Sequence, residues 1–192
     1  MNIASQILKN KPTHQTVFTN TEIKQLCQIS NQTTLHSALI YATKKGYLYR
    51  ITRGIYALDQ KYSAAEFANK YRQPSYISLY TTLQSAGVIF QPYDSIYAIT
   101  NRSEITTING QKYIYRKIKN EIMLNTLGII NKPEISEATP ERAICDKLYL
   151  DGDEYFDNTR EISWQLMLKL NQDVYQNNEV ITQFIKKTRK LG

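Results

Sequence analysis

Four carboxylates crowd one short stretch, Asp151, Asp153, Glu154 and Asp157, the densest set of hard-metal ligands in the 192-residue chain. Paired carboxylates can hold Mg²⁺ for phosphoryl transfer, but this spacing does not build such a site. A calcium loop opening at Asp151 needs glycine at its sixth position, where this chain has Phe156, and no Gly-rich phosphate cradle accompanies the acids. The stretch is expected to be a solvated loop ahead of a helix. His14 and His36 cannot complete a metal cluster by themselves, and Cys27 and Cys145 stand far apart with no partner at ligand spacing. Buried thiols are expected rather than a disulfide framework or a zinc site. No Ser, His and Asp grouping has the pattern of a nucleophilic triad. The chain reads as a non-enzyme without metal or cofactor; an enzyme would need metal-dependent turnover that vanishes when Asp151 or Asp153 is changed.

A second set of polar residues has a different chemistry. Leu35, Ala38, Leu39 and Ala42 recur at helical spacing, which leaves Gln32, Thr33, Thr34, His36, Ser37 and Tyr41 facing outward. These side chains donate and accept the hydrogen bonds that base edges offer in a major groove. Lys44, Lys45, Arg50 and Arg53 follow closely, placed for phosphates or, for Arg53, a minor groove. His36 has no catalytic partner and is expected to be a polar contact.

Charge supports the same partner. Residues 1–62 carry eight basic and two acidic side chains, a net +6, whereas the other 130 residues carry sixteen and fifteen, within a total of +7. The excess favours a polyanion, nucleic acid ahead of a membrane surface. No apolar run of membrane-spanning length occurs, and residues 1–11 have no secretory pattern, so a cytoplasmic protein with no membrane partner is expected.

The elements that must position these residues fall into two units, 1–62 and 63–192. In the first, Ile3, Ala4, Ile7 and Leu8 form an apolar stripe that stops at Pro12, and Val17-Phe18 is extended. Thr19 and Glu22 have capping-box spacing ahead of a short second helix. A third helix runs from a cap at Ser30 or Asn31 to Gly46, and residues 47–52 and 55–58 form a hairpin around Arg53-Gly54. The order helix, strand, helix, helix, hairpin is that of a winged helix-turn-helix, whose second paired helix enters the major groove.

The second unit reads as mixed α/β, giving an α+β chain with a small antiparallel sheet and C-terminal helices. Helices are expected at 64–71, 79–86, 139–150, 159–170 and 179–190, and strands at 76–77, 95–100 and 106–118 with a turn at Asn109-Gly110. Thr139-Pro140-Glu141 is a strong helix start. Arg142 and Asp146, four apart on that helix, read as an ordinary ion pair. Lys186, Lys187, Arg189 and Lys190 complement the end of the last helix, with a second polyanion contact as the alternative. The 15 tyrosines mark no stacking platform and are expected at core edges.

The 26–58 pattern, together with Ala138-Thr139-Pro140-Glu141-Arg142-Ala143-Ile144-Cys145-Asp146-Lys147-Leu148-Tyr149, resembles the AbiEi family of antitoxins over most of residues 1–150. Further pieces in family order are Val17-Phe18-Thr19, Lys45-Gly46-Tyr47-Leu48, Arg53-Gly54-Ile55-Tyr56-Ala57-Leu58, Tyr76-Ile77-Ser78-Leu79, Tyr97-Ala98-Ile99-Thr100 and Tyr113-Ile114-Tyr115-Arg116. The resemblance implies a transcriptional autorepressor in a type IV toxin–antitoxin pair, acting in phage defence or plasmid maintenance. Its partners would be operator DNA with inverted repeats and, directly or indirectly, a nucleotidyltransferase toxin encoded beside it. It also implies a basic antitoxin surface on the C-terminal domain, for which Arg102, Lys112, Arg116, Lys117, Lys119 and Arg142 are the candidates. The chain departs from the family at the start of its recognition helix, which has Thr33, Thr34 and Ser37 where basic residues are common, and after Leu150. A regulator of the same architecture with a signal-sensing C-terminal domain is the alternative.

Overall fold

The computed structural model describes residues 3–189 and divides them into two compact units, Met1–Tyr71 and Arg72–Gly192. In the first unit, α1 (Ile3–Asn10), β1 (Val17–Thr19), α2 (Asn20–Leu26) and α3 (Gln32–Lys44) precede a hairpin of β2 (Tyr49–Thr52) and β3 (Ile55–Ala57). Polar residues open both middle helices. Thr19 Oγ1 accepts from Glu22 N while Thr19 N donates to the Glu22 carboxylate at 2.7 Å, and Asn31 Oδ1 accepts from Thr33 N and Thr34 N. The three strands order as β1-β3-β2, all antiparallel, and Gly54 takes φ +78° at the hairpin tip. Ile7, Phe18, Ile23, Leu35, Leu39 and Ala42 close the core, each large aliphatic side chain contributing roughly 1.5–3 kcal/mol. Leu8, expected on the inward stripe of α1, is exposed.

The division falls after Tyr71, so that α4 (Ala64–Tyr71) belongs to the first unit. Its buried Glu66 accepts from Thr16 N at 2.9 Å and Thr16 Oγ1 at 2.6 Å. Lys70 pairs with both Glu66 and Glu22 and donates to the Val17 carbonyl. These bonds span about fifty residues of sequence and tie α4 to β1 and α2.

The second unit is mixed α/β. Its strands β4 (Ser75–Ile77), β5 (Ile96–Thr100), β6 (Glu104–Ile108), β7 (Gln111–Lys117), β8 (Ile129–Asn131) and β9 (Ser136–Ala138) form a six-stranded sheet in the order β6-β7-β5-β4-β9-β8. The sheet is larger than expected and not wholly antiparallel. After β5 the chain skips one position, and β7 returns into the gap parallel to β5; β4 and β9 are also parallel. Asn109 and Gly110 both take positive φ in the two-residue turn of the β6–β7 hairpin. The helices are α5 (Leu79–Ser85), α6 (Asn120–Leu124), α7 (Pro140–Asp151), α8 (Trp164–Asp173) and α9 (Glu179–Arg189). Thr139 caps α7 by accepting from Arg142 N. Ser163 caps α8, which therefore starts later than residue 159. Lys190, placed by sequence at the end of the last helix, lies outside the described residues. Among the described residues, no helix is long and apolar enough to cross a membrane.

Candidate functional site

On α3 the buried side chains Leu35, Leu39 and Ala42 mark the inward face. At about 100° per residue, Thr33, Ser37, Ile40 and Lys44 line up in one row on the opposite side. Thr34, His36 and Tyr41 flank that row, Gln32 stands in the first turn on the Leu39 side, and every one of these side chains is exposed. Asn31 is not available to a ligand through its carboxamide oxygen, which caps the helix. All ten residues expected at a nucleic-acid interface, including Lys45, Arg50 and Arg53, are therefore at the surface of the first unit.

The electrostatics of this face follow from where the acids are. The unit contains nine basic and three acidic side chains. Glu22 and Glu66 are held by Lys70, and Asp59 accepts from Lys61 N at 2.6 Å. Among the described residues, Lys44, Lys45, Arg50 and Arg53 enter no ion pair; Arg50 Nε donates weakly to the Thr52 carbonyl at 3.4 Å. The α3 row thus ends on two uncompensated cations, Lys44 and Lys45, and the hairpin carries two more, Arg50 and Arg53. Ile40 and Tyr47 also stand exposed here, and Tyr47 lies 6.4 Å from the Tyr41 ring. Sequence reasoning passed over Ile40 because its apolar type points to a core, although its spacing from Thr33 and Ser37 places it outward.

The acidic stretch leads from the end of α7 into the expected loop ahead of α8, with Asp151, Asp153 and Asp157 exposed, but its acids are engaged by the protein. Lys147 pairs with Glu154 and, at 3.0 Å, with Asp151, and Arg116 grips Asp151 through bonds of 2.6 and 3.3 Å. Burial pushes the Asp151 carboxyl up, but hydrogen bonds from Arg116 and Lys147 outweigh it and hold the group below the usual range. Tyr80 donates to Glu154, stacks on Tyr93 at 4.2 Å and meets Tyr97 edge-on at 5.2 Å, so tyrosines do gather here. Burial above all pushes Tyr80 up to about 12. A neutral phenol and a lysine locked between two carboxylates make a staple joining α5, α7, β7 and the 152–159 segment. Asp157 accepts from Phe90 N, and Asp153 reaches only Lys187, at 3.8 Å. Among the described residues no group of acids, histidines and cysteines could hold a metal ion.

Of the residues expected on a basic antitoxin surface, Arg142 is a correction. Its side chain is fully buried, donating to the carbonyls of Ile122 at 2.6 Å and Leu127 at 2.8 Å and lying between the Tyr76 and Tyr175 rings. Its partner Asp146, also fully buried, accepts from Tyr175 and Ser78 at 2.7 Å and from Tyr76 at 3.1 Å. The pair is therefore not the ordinary surface one. Arg116 is half-buried against Asp151, and Arg102 bonds Glu104 at 3.1 Å. Lys112, Lys117 and Lys119 are exposed, and strand alternation puts Lys112 and Arg116 on one face of the sheet with Lys117 on the other.

A cleft of about 260 Å³ between residues 153–159 and α9 is lined by Phe156, Phe184 and Tyr155, with Asp153 and Lys187 mostly in solvent at its rim. Comparison with protein-family models and with curated protein sequences finds no match.

Proposed function

We propose that the protein is a winged helix-turn-helix repressor that binds operator DNA upstream of its own gene and serves as the antitoxin of a type IV toxin–antitoxin pair, in the cytoplasm. One observation carries the DNA reading: an exposed polar row on α3 ends on Lys44 and Lys45, cations that no acid of the unit neutralises. The element order and the β1-β3-β2 hairpin support it, since in such a fold α3 is the helix that docks in the major groove while Arg53 sits beside the tip. The antitoxin role is supported by the ordered family-like segments of residues 1–150, and phage defence follows from that role.

Full-length protein should bind its upstream duplex more tightly than random duplex, with log affinity falling steeply against log salt. Equal affinity for both would refute operator recognition. In cells, charge reversal at Lys112 or Lys117 should lower protection against the neighbouring nucleotidyltransferase while thermal stability stays unchanged. Full protection by both variants would remove those lysines from the antitoxin surface.

A further inference from the structure

We infer that the α3 row reads thymine methyl groups, with Ile40 as a specificity-determining residue, so that the preferred duplex is rich in A·T pairs. The inference rests on the DNA-binding reading above.

A single exposed isoleucine is ordinary on a protein surface. This one is distinguished by its place. Ile40 is 54% exposed and takes no part in the first unit's core, yet it stands in the middle of the outward row between Ser37 and Lys44. Around it the exposed neighbours are hydroxyls, an imidazole and unneutralised cations, a face complementary to a polyanion. The major groove offers one apolar group to such a face, the C5-methyl of thymine.

The rest of the row agrees. Guanine is most often read by a bidentate Arg or Lys, but from Gln32 to Thr43 the helix has neither, and its first cation is Lys44 in the last turn. Thr33 adds a second methyl to the row. At the hairpin tip, exposed Arg53 suits the narrow, strongly negative minor groove that A-tracts provide.

The test uses full-length protein and a random duplex pool. The tightest sequence recovered is resynthesised with deoxyuridine at each thymine in turn, which removes only the methyl. Wild-type affinity should fall about fourfold at each contacted position, the worth of one buried methyl-sized group. Ile40→Ala should bind the thymine duplex more weakly by a similar factor and lose its sensitivity at one position. Ile40→Val, which keeps a methyl there, should retain it. Because the side chain is exposed, both variants should melt like wild type. Selective binding that ignores every thymine-to-uracil change would overturn the inference and leave DNA recognition standing. If no duplex is enriched over random, DNA recognition itself fails and the inference falls with it.

Discussion

Helices α3 and α7 are both rich in polar residues, both open on a side-chain cap, and dispose of their polar groups in opposite ways. On α3 the hydroxyls of Thr33, Thr34 and Ser37, the His36 imidazole and the Lys44 ammonium face solvent, only the half-buried Thr43 donates back to the Leu39 carbonyl, and Leu35, Leu39 and Ala42 are buried. On α7 eight consecutive residues from Glu141 to Leu148 are buried, charged ones included. Each charged group there has a partner: Glu141 accepts from Ser163 N, Arg142 meets two carbonyls and Asp146, and Lys147 meets two carboxylates. A buried charge is tolerated only when paired and hydrogen-bonded. Polar content thus does not distinguish a solvent-facing row from an internal knot. The distinction lies in whether the polar groups are already spent on the protein itself.

The sharpest way to break this comparison is to remove one member of the knot. Arg142→Ala leaves Asp146 buried without its cation and strips the Ile122 and Leu127 carbonyls of their donor. Breaking a buried pair of this kind typically costs 3–5 kcal/mol, so the second unit should lose about that much stability in urea unfolding. Removing any exposed α3 side chain should cost no more than about 0.5 kcal/mol. Similar losses from Arg142→Ala and Ser37→Ala would show that the two helices do not differ as argued.

Such differences are only partly legible in sequence. A cap at Ser30 or Asn31 and the Leu35, Leu39 and Ala42 spacing define α3, and Asn109-Gly110 marks the β6–β7 hairpin, because caps and turns are local chemistry. Arg142 and Asp146 show only an i, i+4 spacing, the same for a surface pair as for a buried one. What buries them is the arrival of Tyr76, Ser78 and Tyr175 from distant elements. The membership of α4 depends likewise on Glu66 and Lys70 finding Thr16 and Glu22. Three-residue strands such as β8 and β9 are too short to show a period, and Ser136-Glu137-Ala138 has little β propensity.

A smaller effect tests the half-buried pairs between these extremes. Burial pushes the Glu104 carboxyl up, but two hydrogen bonds from Arg72, at 2.6 and 2.7 Å, bring it below the usual carboxylate range. A depressed carboxylate contributes stability that is fully present above its unfolded pKa, near 4.3, and disappears as pH falls through the lower folded value. Arg72→Ala should therefore cost about 1 kcal/mol at neutral pH. The gap between variant and wild-type melting should narrow as pH falls below the unfolded value and close below the lower folded one. Asp146 moves the opposite way because burial favours its protonated form, and comparing the two proteins at each pH cancels that contribution. A gap that persists in acid once Glu104 is protonated would assign the loss to packing of the Arg72 stem.

The smallest effect isolates the free cations of α3 from the engaged ones elsewhere. Lys44 stands at the end of the outward row with no carboxylate to neutralise it, so in the bound state it should replace one condensed counterion on the phosphate backbone. Lys44→Ala should then lower the slope of log affinity against log salt by about 0.9, with unchanged melting. Arg116→Ala offers the contrast, since that guanidinium already neutralises Asp151 and has no charge to spare for a phosphate. Its slope should equal that of wild type while the second unit is modestly destabilised. If both changes lower the slope equally, DNA tracks the total charge of the chain, and exposure of the α3 row is not what selects the partner. If only Lys44 does so, the phosphate contact lies at the free cation that ends the α3 row and not at the engaged one.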